Sequence, residues 1–302
     1  AVCTWVSSLF LASTTSRLVR SASAWASESR IILSMSALER PPLAVMVMFW
    51  VLPLALSLAA TPSVALDLPA PQAQGLSISG LQPLDGNPRL WRTLVTSTVL
   101  SQPVEVVIHL PTDYDSQPER RYPVMFLLHG HGPDLDGAMP WVREGNAPAL
   151  IEASPFEGIV VMPQCGKACW YVDWQKATPG GEMPQWETFY TQQLLPWVDA
   201  NFRTIARREA RAIAGLSMGG TGALSMAGRH PELFSKVGSF SSATNIQDFT
   251  IQQVIIANSV TLGWGAAYTS ADKGGGWRAR DVQDLYGPYR GDGWRSHNPY
   301  AL

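Results

Sequence analysis

The sequence predicts an α/β fold, with a mostly parallel central sheet flanked by helices. Short, nearly continuous apolar runs at 122–128, 159–162 and 212–216, and a weaker one at 237–240, have the length and composition of strands buried on both faces. Helix-compatible segments at 147–153, 186–202 and 219–230 separate them, and such alternation winds through right-handed crossovers. The third observation is local: Ser217 sits in Gly215-Leu-Ser-Met-Gly219, a G-x-S-x-G turn between an apolar strand and a helix.

The chain opens on Ala1, and its first methionine is Met35. Residues 1–34 contain Ser and Arg with Glu28 as their only acid, and superficially resemble an organellar transit peptide. They are read instead as an upstream or non-native segment outside the folded protein. Residues 35–65 read as a secretory signal peptide, with an uncleaved anchor as the alternative. Arg40 supplies the leading charge, 43–60 carries none, and Ser63-Val-Ala65 offers small residues for cleavage. Both readings export the catalytic domain. Residues 66–90, rich in Pro, Gly, Ser and Gln, read as a linker, and 91–302 as the domain. Alternation at 91–100 and 104–110 around Ser101-Gln-Pro103 predicts a strand pair with a tight turn.

Only 15% of residues are charged and the net charge is −2, which gives nucleic acid nothing to bind. Cys3 lies in the leader segment. In an exported protein Cys165 and Cys169 read as a short-loop disulfide. No second Cys/His pair accompanies them, so no metal is expected, and no cofactor either. A loop this small gains little stability from closure; the bond would serve to hold its shape.

In the G-x-S-x-G turn, Gly215 and Gly219 leave room for a strained backbone that lifts the Ser217 hydroxyl above the sheet edge. Ser217 is therefore the expected nucleophile. The same turn aims the Met218 N–H at a developing oxyanion. The loop His129-Gly-His-Gly132 follows the 122–128 strand, where a second oxyanion donor is expected from the His131 N–H. Either His129 or His131 as catalytic base is the alternative, but it conflicts with the usual chain order of nucleophile, acid, histidine. His109, alternating within a strand, and His230, preceding Pro231, read as structural.

From about Trp91 onward the chain resembles the esterase D-like branch of the α/β-hydrolases, including the mycobacterial mycolyltransferases. The matching stretches are Tyr122-Pro-Val-Met-Phe-Leu-Leu-His-Gly130, Val161-Met-Pro163, Trp170-Tyr-Val-Asp-Trp174, Trp186-Glu-Thr-Phe189 and Leu195-Pro-Trp-Val-Asp-Ala-Asn201. They continue with Gly215-Leu-Ser-Met-Gly219, Asp284-Leu-Tyr-Gly-Pro288 and Trp294-Arg-Ser-His-Asn-Pro-Tyr300. The resemblance implies an α/β-hydrolase fold and secreted serine acyl-enzyme chemistry. It also implies Ser217 as nucleophile and the Met218 and His131 amides as the oxyanion hole.

Two departures qualify it. Mycolyltransferases carry an acidic residue and an arginine around the first oxyanion loop, where this chain has His129 and Gly132; the HG-x-G form is closer to general esterases. The family's acid and base also follow two further strands beyond the segment resembling 294–302. The expectation is that the C-terminal strands, triad acid and histidine are missing, leaving an uncovered sheet edge. This chain would then have little esterase activity and its full-length parent would be active. Asp248, Asp281 or Asp284 as acid, with His297 as base, is the weaker alternative, because His297 lies in a turn-like Ser-His-Asn-Pro-Tyr.

The resulting expectation is a secreted or cell-envelope serine esterase/acyltransferase acting on an ester or acyl-glycolipid, with mycolyl transfer to a sugar as its narrower form. His129, Gly132, Trp170 and Trp174 are candidate substrate-binding residues, with Tyr171 and Trp186 beside them. An aromatic core is the competing reading, and Asp173 is divided between substrate contact and structural hydrogen bonding. The rival function is a non-catalytic cell-envelope binding protein on the same fold.

Overall fold

A computed structural model describes residues 75–131, 140–166, 168–177, 181, 183–256, 283–289 and 291–302. Among them, eight strands form one mixed sheet: β1 (Leu76–Ile78), β2 (Gln82–Leu84), β3 (Asn87–Ser97), β4 (Val104–His109), β5 (Val124–Leu128), β6 (Ile159–Pro163), β7 (Arg211–Leu216) and β8 (Lys236–Phe240). The order is β1-β3-β4-β6-β5-β7-β8, with β2 also paired to β3. β3 pairs antiparallel with β4, and β4 antiparallel with β6. From β6 through β5 and β7 to β8 the pairing is parallel. Phe126 lies in register with Val161 on one side and Ile213 on the other.

The strand sequences explain their places. Every residue of β4, β5 and β6 is buried, as sandwiched strands demand. From Trp91 onward β3 alternates buried and exposed residues, with Thr93, Val95 and Ser97 inward. Successive side chains leave a strand on opposite faces, so the strands build two cores. On one face Ile108, Phe126, Leu128, Val161 and Ile213 pack with a Trp- and Tyr-rich layer. On the other, Val107, Met125, Leu127, Val160 and Met162 meet Trp141 and Ile151.

Helix α1 (Ala147–Glu152) covers the second face, where its Ala147 and Ile151 are buried. The first face is covered by a helical run, α2, made of Trp186–Thr188, a π-helical stretch Phe189–Leu194 and Leu195–Asn201. Gln193 in the π stretch is buried and anchored to β3, where its Oε1 accepts the Ser97 hydroxyl at 2.6 Å. Helix α3 (Met218–Arg229) follows β7 and buries Met218, Ala223 and Met226 on the same face. Helices α4 (Phe249–Ile256), α5 (Gln283–Tyr286) and α6 (Asp292–Ser296) follow β8 in the chain. The many tryptophans are mainly core: Trp174, Trp186, Trp197 and Trp294 are fully buried, each able to remove about 150–250 Å² from water.

Two expectations change. Residues 76–84, read as linker, carry β1 and β2 and pair with β3. Three-residue strands among Gly and Pro are too short to show alternation. The weak strand candidate at 254–262 begins inside helix α4, and its part from 257 lies outside the described residues. The leader at 1–34, the signal or anchor segment at 35–65 and the linker as far as 74 also lie outside them. Among the described residues no helix is long and apolar enough to cross a membrane.

Candidate active site

Ser217 occupies the single residue between β7 and α3, with φ 54° and ψ −117°. An L-residue adopts such a conformation only where its surroundings impose it. Here the Ser217 N–H donates to the Phe240 carbonyl at the end of β8 (2.8 Å). The Ser217 carbonyl accepts the Gly220 and Thr221 N–H groups at 3.0 and 3.1 Å. Thr221 ties the helix start to the segment after β8, its Oγ1 donating to the Ala243 carbonyl at 3.0 Å. The result is an exposed side chain at the mouth of a helix N-terminus, where the helix dipole favours negative charge.

The flanking glycines are there for space. A Cβ on Gly219 would overlap the Leu128 carbonyl and come within 2.6 Å of that of His129; one on Gly215 would overlap the Gly219 carbonyl. The end of β5 therefore lies directly against the turn. Gly130 continues the approach: a Cβ there would sit 3.3 Å from the Ser217 Cβ. His131, half-buried, is the next residue. Met218 opens α3, so its N–H has no carbonyl one turn back to bond. Gly130, with His131 next in the chain, and Met218 thus lie on either side of Ser217.

The candidate substrate-binding residues are placed otherwise. His129 is 1% exposed, Trp170 4% and Trp174 2%, so these three pack inside the protein and present no surface to a substrate. His129 Nδ1 lies 2.9 Å from the Gly130 carbonyl, and its Nε2 accepts the Cys165 N–H at 3.0 Å. Burial lowers its pKa to about 4, with His131 adding to the shift. The Trp174 indole N–H donates to the Cys169 carbonyl at 3.3 Å. Tyr171 and Trp186 are buried as well. Asp173 accepts both the Thr188 N–H (3.0 Å) and its hydroxyl (2.6 Å), fastening the start of α2. Gly132 lies outside the described residues. The aromatic-core reading holds for these segments, because a flat apolar ring satisfies a core and a ligand site equally well in sequence. Cys165 and Cys169 are joined in a disulfide.

His297 does not reach Ser217. Its Nε2 is 3.0 Å from Glu187 Oε2, and its Nδ1 is 2.8 Å from the Gly293 carbonyl. The other Glu187 oxygen takes Arg229 Nε at 2.8 Å and His230 Nε2 at 2.7 Å. Arg229 and His230 close the far end of α3, 12 residues from the turn, or about 18 Å at 1.5 Å per residue. Burial alone would raise the Glu187 carboxyl, but its bonds to His230, His297 and Arg229 outweigh that and hold it far below the usual carboxylate range. The same bond raises His230. His297 as base is therefore corrected to a structural role. Asp248 caps α4 through the Thr250 and Ile251 amides, Asp284 is buried 3.9 Å from Lys176, and Asp281 lies outside the described residues. His109 is buried beside Glu152 at 3.5 Å, and burial lowers its pKa to about 4. Nothing in the sequence marked Glu187, whose partners lie 42 to 110 positions away.

An antiparallel pair leading into a parallel sheet, with a strained serine between a central strand and the helix it feeds, defines an α/β-hydrolase fold. Residues 97–302 match the family described as "Putative esterase", and the chain belongs to that esterase family. It is similar to Esterase Rv1288 of Mycobacterium tuberculosis, 36% identical over 199 residues, covering 63% of this chain and 41% of that protein. It is 33% identical over 143 residues to the diacylglycerol acyltransferase/mycolyltransferase Ag85B of Mycobacterium leprae, covering 46% and 38%. The chain thus spans about two fifths of the length of these relatives. Among solved structures, MPT51 (FbpC1) of Mycobacterium tuberculosis shares the fold at TM-score 0.50 and 24% identity, over 69% of this chain and 66% of that one.

Proposed function

We propose that the protein is an exported serine esterase or acyltransferase in which Ser217 is the nucleophile and the Met218 and His131 amides hold the oxyanion. The observation that carries this reading is the Ser217 backbone, held at φ 54° with its side chain exposed at a helix N-terminus. Such strain costs on the order of 1–3 kcal/mol and has no packing purpose at an exposed serine. The Ser217 Oγ attacks an ester carbonyl carbon as a general base takes its proton, and the carbonyl oxygen becomes an oxyanion between two amide donors. The ester C–O bond then breaks, the alcohol leaves with a proton, and the acyl-enzyme passes its acyl group to water or to a second alcohol.

The acyl donor is an ester or acyl-glycolipid. The relatives named as diacylglycerol acyltransferase/mycolyltransferases support transfer to a second alcohol, for which we propose a sugar hydroxyl, while the His129-Gly-His-Gly132 loop supports water. The uncharged run at 43–60 supports export to the cell envelope or beyond. The test is fluorophosphonate labelling of the protein produced from its full reading frame, beside p-nitrophenyl ester turnover. Labelling and turnover should both vanish in Ser217→Ala. A parent that takes no label at all would instead be a binding protein on this fold.

A further inference from the structure

We infer that His129 is a positioning residue, locked by the disulfide-closed loop beginning at Cys165, that sets the direction of the His131 N–H. This rests on the proposed roles of Ser217 and His131, and concerns what keeps that donor aimed.

The partners of the ring decide its tautomer. An amide N–H can only donate, so the bond from the Cys165 N–H at 3.0 Å requires a bare Nε2. A carbonyl can only accept, so the Gly130 oxygen 2.9 Å from Nδ1 requires a proton there. With both nitrogens engaged and the ring buried, water has no access to replace either bond.

The Gly130 carbonyl and the His131 N–H belong to one peptide unit. That unit is planar and trans, so its C=O and N–H point in opposite directions. Holding the carbonyl on His129 therefore turns the N–H the other way. Without this hold a glycine at 130 leaves the plane free to rotate, and a flipped plane would present a carbonyl oxygen where an oxyanion must form. Gly130 is required here because the loop runs against the Ser217 Cβ.

The segment after β6 supports His129 at two points. Its first cysteine provides the amide bonded to Nε2. Just past the second, the Tyr171 hydroxyl donates to the His129 carbonyl at 2.8 Å, with its own N–H on Cys169 Sγ at 3.2 Å. Trp170 and Tyr171 both have left-handed φ, 53° and 61°. Two consecutive bulky residues in that region need an external constraint; the bond between Cys165 and Cys169 ends immediately before them, and the Tyr171 N–H is held on Cys169 Sγ.

The test compares His129→Leu, His129→Asn, Tyr171→Phe and protein reduced with a phosphine, all from the full reading frame. Rates are normalised to fluorophosphonate-titrated sites, and a trifluoromethyl ketone serves as oxyanion analogue. Outright loss of one oxyanion donor costs about 10²–10³-fold in kcat. His129→Leu should approach about 10²-fold in kcat with KM nearly unchanged, and ketone affinity should fall in parallel. His129→Asn, which keeps a donor near the Gly130 carbonyl, should recover part of the loss. Tyr171→Phe and reduction should each fall between the parent and His129→Leu. A purely structural role would lower the number of titrated sites and leave kcat per site and ketone affinity intact, overturning the inference. Should His129→Leu fail to fold, Tyr171→Phe and the reduced protein decide on the same readouts. Parent-like rates per site in all of these, with Ser217→Ala dead, would sink the positioning role and leave the nucleophile standing. Turnover surviving in Ser217→Ala would overturn both.

Discussion

Replacing Glu187 with glutamine should destabilise the protein, and by more in mild acid than in mild alkali. Glu187 is buried at the start of α2, where its carboxylate takes Arg229 and His230 from the end of α3 and His297 from the C-terminal segment. It joins three segments distant in sequence through one charge. Removing the charged partner of a buried pair costs about 3–5 kcal/mol. Arg229 and His230 are about a quarter exposed and recover some hydration, so the lower end, about 3 kcal/mol, applies. In a domain of this size that lowers Tm by roughly 6–12 °C. The His230 pKa is raised by Glu187, so its contribution is complete below the unfolded value near 6.5 and is lost as pH rises through the higher folded value. The pairing of Arg229 persists throughout. Thermal melts of parent and Glu187→Gln at pH 5.5 and 8.5 measure this directly, and contributions from the histidines that do not touch Glu187 cancel in the difference. An equal Tm gap at the two pH values would remove the His230 linkage, and a gap under about 2 °C would remove the cluster as a stabilising element.

Three further outcomes rest on the same geometry. Ser217→Gly, which releases the strained φ, should raise stability by about 1–3 kcal/mol while abolishing fluorophosphonate labelling; an unchanged or lower denaturation midpoint would show that the turn holds no strain. Gly219→Ala should lose about 1–3 kcal/mol, because the added methyl overlaps the Leu128 carbonyl, and urea unfolding should show it as a lower midpoint at constant slope. His109 and His129 are both held neutral, with pKa values lowered to about 4 by burial. The unfolded chain therefore binds more protons between about pH 6.5 and 4, and stability should fall as pH drops through that window. Urea midpoints measured in steps across it should decline less steeply in His109→Gln than in the parent.

Features set by neighbours in sequence are legible in the sequence. The buried runs of β5 and β6, the G-x-S-x-G turn and the disulfide each depend on residues within a few positions. The strands β1 and β2 are not legible, because pairing with β3, not their own pattern, makes them strands. The role of His129 is hidden for the same reason at longer range: its partners lie 36 and 42 residues onward, and a histidine beside a catalytic loop reads as a ligand contact until its two nitrogens are seen to be occupied. Trp170 and Trp174 read as candidates for a site that their burial closes to them.

The distribution of backbone strain makes the same distinction physically. Among the described residues six non-glycines have left-handed φ: Asp85, Asn146, Trp170, Tyr171, Ser217 and Ser241. Asp85 lies in the turn between β2 and β3 and Asn146 precedes α1, places where short polar side chains tolerate that region. The other four have no such excuse, and they gather around one point. Ser241 follows Phe240, whose carbonyl holds the Ser217 amide; Tyr171 holds the His129 carbonyl and lies against Gly222 of α3, where a Cβ would come within 2.6 Å of its ring. At about 1–3 kcal/mol each, the four together cost an appreciable share of the roughly 5–15 kcal/mol by which a domain is stable. A fold optimised only for packing would shed them. Their concentration where β5, β7 and β8 end, and not along the Glu187 cluster, supports the proposed placement of the chemistry on the Ser217 side of α3, with the opposite end serving stability.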